Sequence, residues 1–461
     1  MSDRELLIVV LAAGKGTRMK SDVPKVLHHV AGRSLLGHVL AAASAAGGSR
    51  MAVVVGPAMD TVAKEVAAQA PGAQVFVQPD QLGTADAVRA ARPAIEGHTG
   101  DVLVVLGDTP LLTTETLKRA RQALAADAGM VVVGFEAANP FGYGRLLRDA
   151  GGTLLAIREE KEATEAERKV TLCNSGVMGF RAEHMLAILD GIRNDNAKGE
   201  YYLTDAVEIG RRKGVSASVV EGSEEEVLGI NDRAQLAVAE RLYQDRLRAR
   251  VQAEGATLVS PETVYLSYDT TIGRDVTIEP FVVIGPGVTI GDNVHVRAFT
   301  HMTGADAKSK KGVSVADKAE VGPFSRMRPG ASIGEGAHVG NFVEVKNASL
   351  EKGAKANHLA YIGDGRVGEA ANIGAGTIFC NYDGFNKHHT DVGAGAFVGS
   401  NSSLVAPVKI GDGAYVGSGS VITKDVAPDA LALERAKQEE KPEWAAKWRQ
   451  LMLRRKKAKS S

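Results

Sequence analysis

The second half of the chain carries an apolar residue at every sixth position, and this period constrains the fold more than any other feature. With two interruptions it runs from Ile272 to Ile422, and its register shifts by one residue after Val345 and after Ile362. The periodic positions are Ile272, Ile278, Ile284, Ile290, Val296, Met302, Val315, Val321, Met327, Ile333, Val339, Val345, Leu350, Ala356, Ile362, Val367, Ile373, Phe379, Val392, Val398, Leu404, Ile410, Val416 and Ile422. Many precede a glycine, which tolerates positive φ, as expected for short strands joined by tight corners. Such strands stack into a parallel β-helix, in which each coil buries its apolar residues on the next.

Two segments interrupt the period, Thr303–Ser314 and Cys380–Asp391. Loops that leave a regular scaffold are common locations of binding residues, so we expect ligand contacts there. The alternative is that the solenoid serves only as a spacer or an oligomerisation module. The side chains outside the repeat must decide between these two roles.

The first half of the chain alternates strand-like apolar runs with alanine-rich helical stretches, which predicts a mostly parallel sheet covered by helices. The runs are Leu7–Leu11, Met51–Val55, Val102–Leu106 and Met130–Phe135. From Asn231 to Glu254 glycine is absent and apolar residues recur at helical spacing, which predicts one amphipathic linker helix. The predicted division is therefore a domain over 1–230, the helix over 231–254, a β-helix over 255–432 and a charged tail over 433–461. The basic end of the tail is predicted to be solvated and mobile, with phosphate binding as the alternative.

Composition favours small-molecule chemistry. Lys plus Arg and Asp plus Glu both total 55, so the net charge is zero and neither nucleic acid nor a membrane is expected as a partner. The only cysteines, Cys173 and Cys380, are far apart, which makes a disulfide framework or a cysteine-based zinc site improbable. The first apolar run is too short for a membrane span and lacks a signal-peptide pattern, so we expect a cytoplasmic protein.

A glycine-rich turn follows the first strand, in the segment LAAGKGTRMKSDVPK over 11–25. The dinucleotide fingerprint fails because its third glycine is missing, and the P-loop pattern fails because Gly16 follows Lys15. Backbone N–H groups of such a turn can face phosphate, with Arg18 and Lys25 as two fixed cations. This arrangement suits nucleotidyl transfer, whereas the alternative is a tight turn with surface cations.

Asp108 comes directly after a buried apolar strand, within Gly107–Pro110. A carboxylate at the carboxyl end of a parallel strand is placed to hold Mg²⁺ beside phosphates. The alternative is a helix cap, which Pro110 in an early helical turn would allow.

On the solenoid, Arg328 and Lys346 are eighteen residues apart, one turn of a coil with three six-residue faces. They are therefore predicted to stack and to clamp one phosphate, with two solvated charges as the alternative. His358 lies three residues before Tyr361 at a break in the repeat. Because histidine titrates near neutrality, His358 is the candidate base for amide formation from an amine and a thioester.

The segment over 11–25, together with QLGTA, GDTP, GYGR, NSG and GEYYLTD, resembles the sugar-nucleotide pyrophosphorylases. Within them the chain is most similar to the bifunctional UDP-N-acetylglucosamine pyrophosphorylase/glucosamine-1-phosphate N-acetyltransferases, over nearly its whole length. The resemblance implies an α/β fold: a Rossmann-like nucleotidyltransferase domain, a linker helix, then a left-handed parallel β-helix of hexapeptide repeats. It also implies Mg²⁺, the co-substrates UTP and acetyl-CoA, the substrates glucosamine-1-phosphate and N-acetylglucosamine-1-phosphate, and a homotrimer with acetyl-transfer sites at subunit interfaces. The product would serve peptidoglycan and lipopolysaccharide precursor synthesis.

The resemblance further assigns roles to individual residues. The uracil and ribose end of UTP would contact Leu11, Ala13, Gly14, Gln78, Gly83 and Thr84, and its phosphates would contact Arg18 and Lys25. The N-acetylglucosamine pocket would contain Gly144, Glu159, Asn174 and Thr204, and the metal would be held by Asp108 and Asn231. Glucosamine-1-phosphate would be bound by Arg328, Lys346, Tyr361, Asn372 and Lys387, with His358 as the base. Acetyl-CoA would contact Asn381, Tyr382, Ser400, Ser418 and Arg435.

One position departs from the family pattern, since Leu106 stands where a tyrosine is common before Gly-Asp. Two alternatives to the bifunctional enzyme stay open at this point. The first is a monofunctional sugar-1-phosphate nucleotidyltransferase with a structural solenoid. The second is a nucleotide-sensing scaffold without enzymatic activity.

Overall fold

The computed structural model describes residues 4–126, 128–305 and 309–458. The chain forms two compact units: the first extends to Arg250 and takes in Tyr265–Tyr268, and the second comprises Val251–Val264 and the chain from Asp269 onward. The predicted linker helix is observed over Arg233–Ala253, so the division between the units falls inside it. None of the described helices is long and apolar enough to cross a membrane.

The first unit contains one large, mostly parallel sheet and a short hairpin. Its strands in chain order are β1 Leu6–Leu11, β2 His29–Val30, β3 Arg33–Ser34, β4 Arg50–Val55, β5 Gln74–Val77, β6 Asp101–Leu106, β7 Met130–Glu136, β8 Arg145–Arg148, β9 Leu154–Arg158, β10 Leu172–Arg181 and β11 Ala217–Glu221. The order across the large sheet is β11-β7-β10-β6-β1-β4-β5, with β8 and β9 attached to β10. Along this order only β10 is antiparallel to its neighbours, while β8 and β9 pair antiparallel beside it. The predicted mostly parallel sheet is therefore confirmed.

Helices cover both faces of this sheet. The helices in chain order, up to the one in which the unit boundary falls, are α1 Leu35–Ala45, α2 Asp60–Gln69, α3 Thr84–Ala90, α4 Arg92–Ile95, α5 Thr114–Ala125, α6 Glu165–Arg168, α7 Ala182–Leu189, α8 Ala206–Arg212 and α9 Arg233–Ala253. Short 3₁₀ turns lie at Thr17–Met19, Lys25–Leu27 and Leu203–Asp205. In β1, Leu7 and Val9 pack into one apolar layer and Ile8 into the other. A strand buried on both faces requires an unbroken apolar run, which is the pattern seen in the sequence.

The second unit is a parallel β-helix with three faces. The first face contains Thr257–Leu258, Thr277–Ile278, His295–Val296, Glu320–Val321, His338–Asn341, Lys355–His358, Asn372–Ile373, Phe397–Val398, Tyr415–Val416 and Leu431–Ala432. The second contains Thr271–Ile272, Val288–Ile290, Val313–Val315, Ser332–Ile333, Ser349–Leu350, Gly365–Val367, Thr390–Val392 and Val408–Ile410. The third contains Val283–Ile284, His301–Met302, Arg326–Met327, Glu344–Lys346, Tyr361–Gly363, Ile378–Cys380, Ser403–Val405 and Val421–Ile422. A 3₁₀ turn lies at Pro261–Thr263.

The six-residue period is confirmed, because every periodic residue from Ile272 to Ile422 is buried. Both predicted interruptions also lie outside regular strands for most of their length, although residues 306–308 of the first are outside the described part of the chain. We call them the first loop, residues 303–312, and the second loop, residues 381–389. The first loop is described only at residues 303–305 and 309–312.

The expected role of the glycines that follow periodic residues was wrong. Gly285, Gly334 and Gly399 do not have positive φ. A Cβ at Gly285 would lie 2.2 Å from the carbonyl oxygen of Thr303 on the next coil. These glycines are therefore needed where one coil's backbone approaches the next. Positive φ occurs instead at larger residues, including Asn293 and Phe299, and at other glycines such as Gly336.

Four corner phenylalanines form an exposed stack, the phenylalanine ladder, consisting of Phe281, Phe299, Phe324 and Phe342. Neighbouring ring centroids are 4.8–5.3 Å apart, and about half of each side chain is exposed. The corner on the next coil holds Leu359, which is 58% exposed and follows His358 in sequence. An apolar strip of this length on a surface is a feature of interaction sites.

The tail ends in helix α10, Trp444–Ala458, none of whose described residues is buried. The rings of Trp444 and Trp448 stack with centroids 5.6 Å apart. Exposure of the basic residues agrees with the predicted solvation of the tail, although much of the segment is helical.

Candidate functional site

The first unit has two adjoining cavities where β1 and β6 end. Their volumes are about 540 and about 680 Å³, which suits small ligands. Loops that follow parallel strands meet at this edge of the sheet. The smaller cavity is lined by nine of the residues predicted for this domain: Leu11, Ala13, Gly14, Lys25, Gln78, Gly83, Thr84, Asp108 and Glu159. The larger adds Arg18, Gly144, Asn174, Thr204 and Asn231, so every residue predicted for this domain lines a cavity.

Asp108 and Asn231 converge on one cation. The ammonium of Lys25 pairs with Asp108 Oδ2 and donates a hydrogen bond to Asn231 Oδ1 at 3.1 Å. The helix-cap alternative for Asp108 is wrong, because α5 is capped by Thr113, whose Oγ1 accepts a hydrogen bond from the backbone N of Thr116 at 3.2 Å.

The two converging oxygens fit a divalent cation. Carboxylate and amide oxygens are ligands of the type that Mg²⁺ prefers, and here they already hold a positive charge. Within residues 4–126, 128–305 and 309–458, no group of three or more His, Cys, Asp or Glu side chains could hold a metal ion. Mg²⁺ at Asp108 and Asn231 would therefore take its other ligands from phosphates and water, as is usual in phosphoryl-transfer sites.

The glycine-rich turn brings further cations to the cavities. Gly16 has φ 62°, and a Cβ there would lie 2.6 Å from Cβ of Lys25, so glycine is required for this close approach. Lys15 lines the smaller cavity and Arg18 the larger. The sequence arguments used Lys15 only to reject a P-loop and missed its place beside the nucleotide residues.

The larger cavity has an acidic end. Thr204 Oγ1 donates a hydrogen bond to Glu159 Oε1 at 3.1 Å, and burial raises the pKa of Glu159. Next to Thr204 in sequence, but lining neither cavity, Asp205 has its pKa raised to about 6 by burial and by the neighbouring charge of Glu208. A carboxyl group with a raised pKa can donate as well as accept hydrogen bonds, which suits recognition of sugar hydroxyls.

Leu106 lines both cavities, between the predicted nucleotide and sugar residues. A Cβ at Gly176 would lie 2.6 Å from Leu106 Cδ1, so the glycine provides the space that this side chain occupies. At position 106 the chain therefore presents an apolar wall without a hydroxyl group.

On the β-helix, the predicted phosphate residues gather at one edge of the third face. Their strands pair in register, so Arg328 and Lys346 stack one coil apart as predicted. Glu344 accepts a hydrogen bond from Arg328 Nη1 at 2.7 Å. The neighbouring Lys387, followed by burial, lowers the pKa of Lys346. Both side chains therefore have charged neighbours, and the phosphate clamp stays a prediction.

His358 ends the first-face strand Lys355–His358, at the corner that precedes the third-face strand Tyr361–Gly363. Its Nδ1 is 2.7 Å from Asn341 Oδ1, so Nδ1 donates to the amide oxygen and Nε2 keeps its lone pair. Ser400 and then Ser418 lie on later coils in the same column as His358. Backbone hydrogen bonds between successive coils define this column: Gly376–His358, Asn401–Ala375 and Gly419–Ser400. Arg435 Nη1 donates to the carbonyl oxygen of Ser418 at 2.9 Å.

The predicted acetyl-transfer residues thus form two groups. One is the cationic cluster with Arg328, Lys346 and Lys387, and the other is the column with His358, Ser400 and Ser418. Their described hydrogen bonds and ion pairs stay within each group. Tyr361 begins the strand between the two groups, and Asn372 lies on the first face. Tyr382 is exposed on the second loop, where its hydroxyl donates to the carbonyl oxygen of Gly384 at 2.6 Å.

Two residues of this unit were missed by the sequence arguments. Asn341 contacts His358 from seventeen residues earlier, and Asp364 accepts a hydrogen bond from Asn381, seventeen residues later. The signal was available, because each register shift shortens one coil from eighteen residues to seventeen.

A cavity at the carboxyl edge of a parallel sheet, with two oxygens around a cation, and a hexapeptide β-helix define a nucleotidyltransferase joined to a second transferase module. The MobA-like NTP transferase domain family matches residues 8–170, and the bacterial transferase hexapeptide (six repeats) family matches residues 269–304 and 389–424. Relatives named "Bifunctional protein GlmU" are similar along nearly the whole chain. The protein from Azorhizobium caulinodans is 58% identical over 446 residues, covering 97% of this chain and 98% of the relative. That from Rhodopseudomonas palustris strain BisB5 is 55% identical over 461 residues, covering 100% of both.

The chain belongs to the family of bifunctional GlmU proteins. It is a bifunctional enzyme, and neither the scaffold alternative nor the monofunctional alternative is favoured, because the similarity includes the complete β-helix.

Proposed function

We propose that the chain makes UDP-N-acetylglucosamine in two reactions at separate sites. The β-helix acetylates glucosamine-1-phosphate with acetyl-CoA, and the first unit transfers UMP from UTP to the N-acetylglucosamine-1-phosphate so formed, releasing pyrophosphate. The observation that supports this proposal most is that one chain contains both sites. Asp108 and Asn231 direct two oxygens at a cation in a cavity of nucleotide size, and His358 has its Nδ1 held by Asn341. We further propose a cytoplasmic location, where the free thiols Cys173 and Cys380 would remain reduced.

Uridylyl transfer in this site requires positioning and charge neutralisation. An oxygen of the sugar phosphate attacks the α-phosphorus of UTP in line, and pyrophosphate leaves as the bond to the β-phosphate oxygen breaks. Lys25 and Arg18 would neutralise the phosphates, while Glu159 and Thr204 orient the sugar. Mg²⁺ held by Asp108 and Asn231 would supply further charge neutralisation.

Acetyl transfer requires removal of a proton. The amine of glucosamine-1-phosphate attacks the thioester carbon, His358 Nε2 takes the proton lost by the nitrogen, and the C–S bond breaks to release coenzyme A as its thiol or thiolate. Arg328, Lys346 and Lys387 would hold the sugar phosphate. Ser400, Ser418 and Arg435 would contact acetyl-CoA along the column that contains His358.

The experiment combines the purified chain with glucosamine-1-phosphate, acetyl-CoA, UTP and Mg²⁺. We expect UDP-N-acetylglucosamine, with one free thiol and one pyrophosphate formed per product. Leaving out acetyl-CoA should stop the release of both thiol and pyrophosphate. Supplying N-acetylglucosamine-1-phosphate instead should restore pyrophosphate and UDP-N-acetylglucosamine without thiol release. Pyrophosphate release without any acetyl-dependent thiol release would contradict the bifunctional assignment.

Asn341 gives a narrower test of the base. Asn341→Ala should lower kcat for acetyl transfer by roughly fivefold to tenfold, the value of one lost hydrogen bond, because Nε2 would no longer be the favoured basic nitrogen. KM for both substrates should change little, since Asn341 contacts the base and not a predicted substrate residue. Steady-state kinetics would detect the split, and an unchanged kcat would show that Asn341 does not orient His358.

We also propose that the chain forms a homotrimer through the β-helix. The phenylalanine ladder leads to Leu359, so an interface there would cover the neighbourhood of His358 and allow a second copy to complete the divided acetyl-transfer site. Burying an exposed phenylalanine contributes roughly 1.5–3 kcal/mol, so a ladder of four could stabilise a subunit contact.

The double variant Phe299→Glu/Phe324→Glu tests this interface. We expect the molar mass measured by light scattering to fall from that of three chains to that of one, with parallel loss of acetyl transfer and retained uridylyl transfer. Val259→Glu, which replaces an exposed apolar residue outside the ladder, is the control and should leave the trimer intact. A double variant that remains trimeric would exclude the ladder as the interface.

A further inference from the structure

Asp364 occupies the corner after the strand Tyr361–Gly363, and its backbone is held by the coils on both sides. Its N–H donates to the carbonyl oxygen of Lys346 at 3.0 Å, and its own carbonyl oxygen accepts from the N–H of Thr390 at 3.3 Å. Its side chain is only 14% exposed. The carboxylate is therefore fixed inside the cationic edge of the acetyl-transfer unit.

Each carboxylate oxygen of Asp364 has its own partner. Oδ1 accepts from Asn347 Nδ2 at 2.7 Å, on the preceding coil, and Oδ2 accepts from Asn381 Nδ2 at 2.5 Å. Lys387 Nζ lies 3.8 Å from Oδ2. Asn381 and Lys387 both belong to the second loop, so one carboxylate anchors that loop at two points.

The same carboxylate is linked to the first loop. Lys311 Nζ donates to Asn347 Oδ1 at 2.8 Å, and Asn347 donates to Asp364. Lys311 passes close to Gly330, where an added Cβ would lie 3.2 Å from Lys311 Cδ. The two loops that interrupt the repeat are therefore joined through Asn347 and Asp364.

Asp364 also separates like charges. Lys346 and Lys387 are close enough to shift each other's pKa, and Arg328 is a further nearby cation. The negative charge of Asp364 favours the protonated forms of both lysines. Without it, the phosphate-binding cations would repel one another before any substrate arrived.

We propose that Asp364 is a positioning residue for acetyl transfer, which places a negative charge beside Lys346 and Lys387 and holds Asn381 where it is predicted to contact acetyl-CoA. This proposal rests on the proposed acetyl-transfer function. Asp364 is not among the predicted substrate residues and would act through Lys346, Lys387 and Asn381, which are.

The test compares Asp364→Asn with Asp364→Glu in both half-reactions. Asp364→Asn should raise KM for acetyl-CoA between about tenfold and a hundredfold, because Asn381 and its loop lose their charged anchor. It should also move the alkaline limb of kcat/KM for glucosamine-1-phosphate to lower pH. The sign follows from Lys346, whose pKa is already lowered by Lys387, burial and Arg328, and which would lose the one neighbour that raises it. Tyr361 lies near Lys387 and is unchanged in either variant.

Asp364→Glu restores the charge but not the geometry, so its alkaline limb should return towards that of the original chain while KM for acetyl-CoA stays raised. A merely structural role would not separate the two readouts.

Asp292→Asn is the matched control, since Asp292 is a solenoid aspartate whose Oδ1 accepts from the backbone N of Arg274 away from this site. If the original chain acetylates and Asp364→Asn equals it in both readouts, the positioning role is wrong. If the original chain does not acetylate, the proposed function itself fails. Equal loss of uridylyl transfer in Asp364→Asn would indicate misfolding, and Asp364→Glu then decides: a normal KM for acetyl-CoA in that variant would overturn the proposal.

Discussion

Replacing His358 by alanine is expected to lower kcat for acetyl transfer by about 10²–10⁴-fold and to leave uridylyl transfer unchanged. The size of the effect is that of a general base, since the attacking amine must lose a proton that no other described group in the His358 column is placed to accept. Thiol release from acetyl-CoA and pyrophosphate release from UTP would be followed in the same preparation.

His338→Ala is the control for this experiment. His338 lies on the strand that pairs with that of His358, but it is opposite Lys355 and outside the predicted site. It should retain both activities. Acetyl transfer that survives in His358→Ala would exclude His358 as the base, whereas loss of both activities would point to a folding defect.

Asp108→Asn should have the opposite selectivity, with uridylyl transfer reduced by about 10²–10³-fold and acetyl transfer unchanged. The substitution keeps the shape of the side chain but removes the negative charge that faces Lys25 and the proposed Mg²⁺. Loss of one preorganised electrostatic group in a phosphoryl-transfer site typically costs this much. The Mg²⁺ concentration needed for half-maximal rate should also rise.

Asp149→Asn provides the matched control, because Asp149 lies in the turn between β8 and β9 and its Oδ1 accepts from Gly151 and Thr153. Its activities should equal those of the original chain. Full uridylyl transfer by Asp108→Asn at low Mg²⁺ would remove Asp108 from the metal site.

The residues predicted for the first unit gather well because they follow the carboxyl ends of buried strands. Asp108 comes after β6 and the glycine-rich turn after β1, and these two strands are neighbours in the sheet. The sequence could not predict that Lys25 would pair with Asp108, since a lysine can extend either to a phosphate or to a nearby carboxylate. Nor did it reveal that Leu106 and Gly176 occupy complementary space between the two cavities.

On the β-helix, the contacts that the sequence predicted and those that it missed differ by one residue in the length of the coil. Arg328 and Lys346 were found because their coil has the regular eighteen residues, whereas Asn341 with His358, and Asp364 with Asn381, are seventeen apart. A single shift changes which side chains stack, and a sequence read at the regular spacing pairs the wrong neighbours. The glycines that follow periodic residues also depend on contacts between coils: they are needed because neighbouring coils approach closely, and not because of their own φ.

The sequence by itself determined the architecture, because burial of one apolar residue in six and of continuous strand runs repeats locally and needs no knowledge of distant contacts. It also determined which segments bear the candidate chemistry. Only the tertiary structure decided which partners those side chains have, that is, Asn341 for His358, Lys25 for Asp108, and Asp364 for the two loops. Those partnerships depend on strand register and on side-chain direction at corners, where a displacement of a few ångströms creates or removes a hydrogen bond.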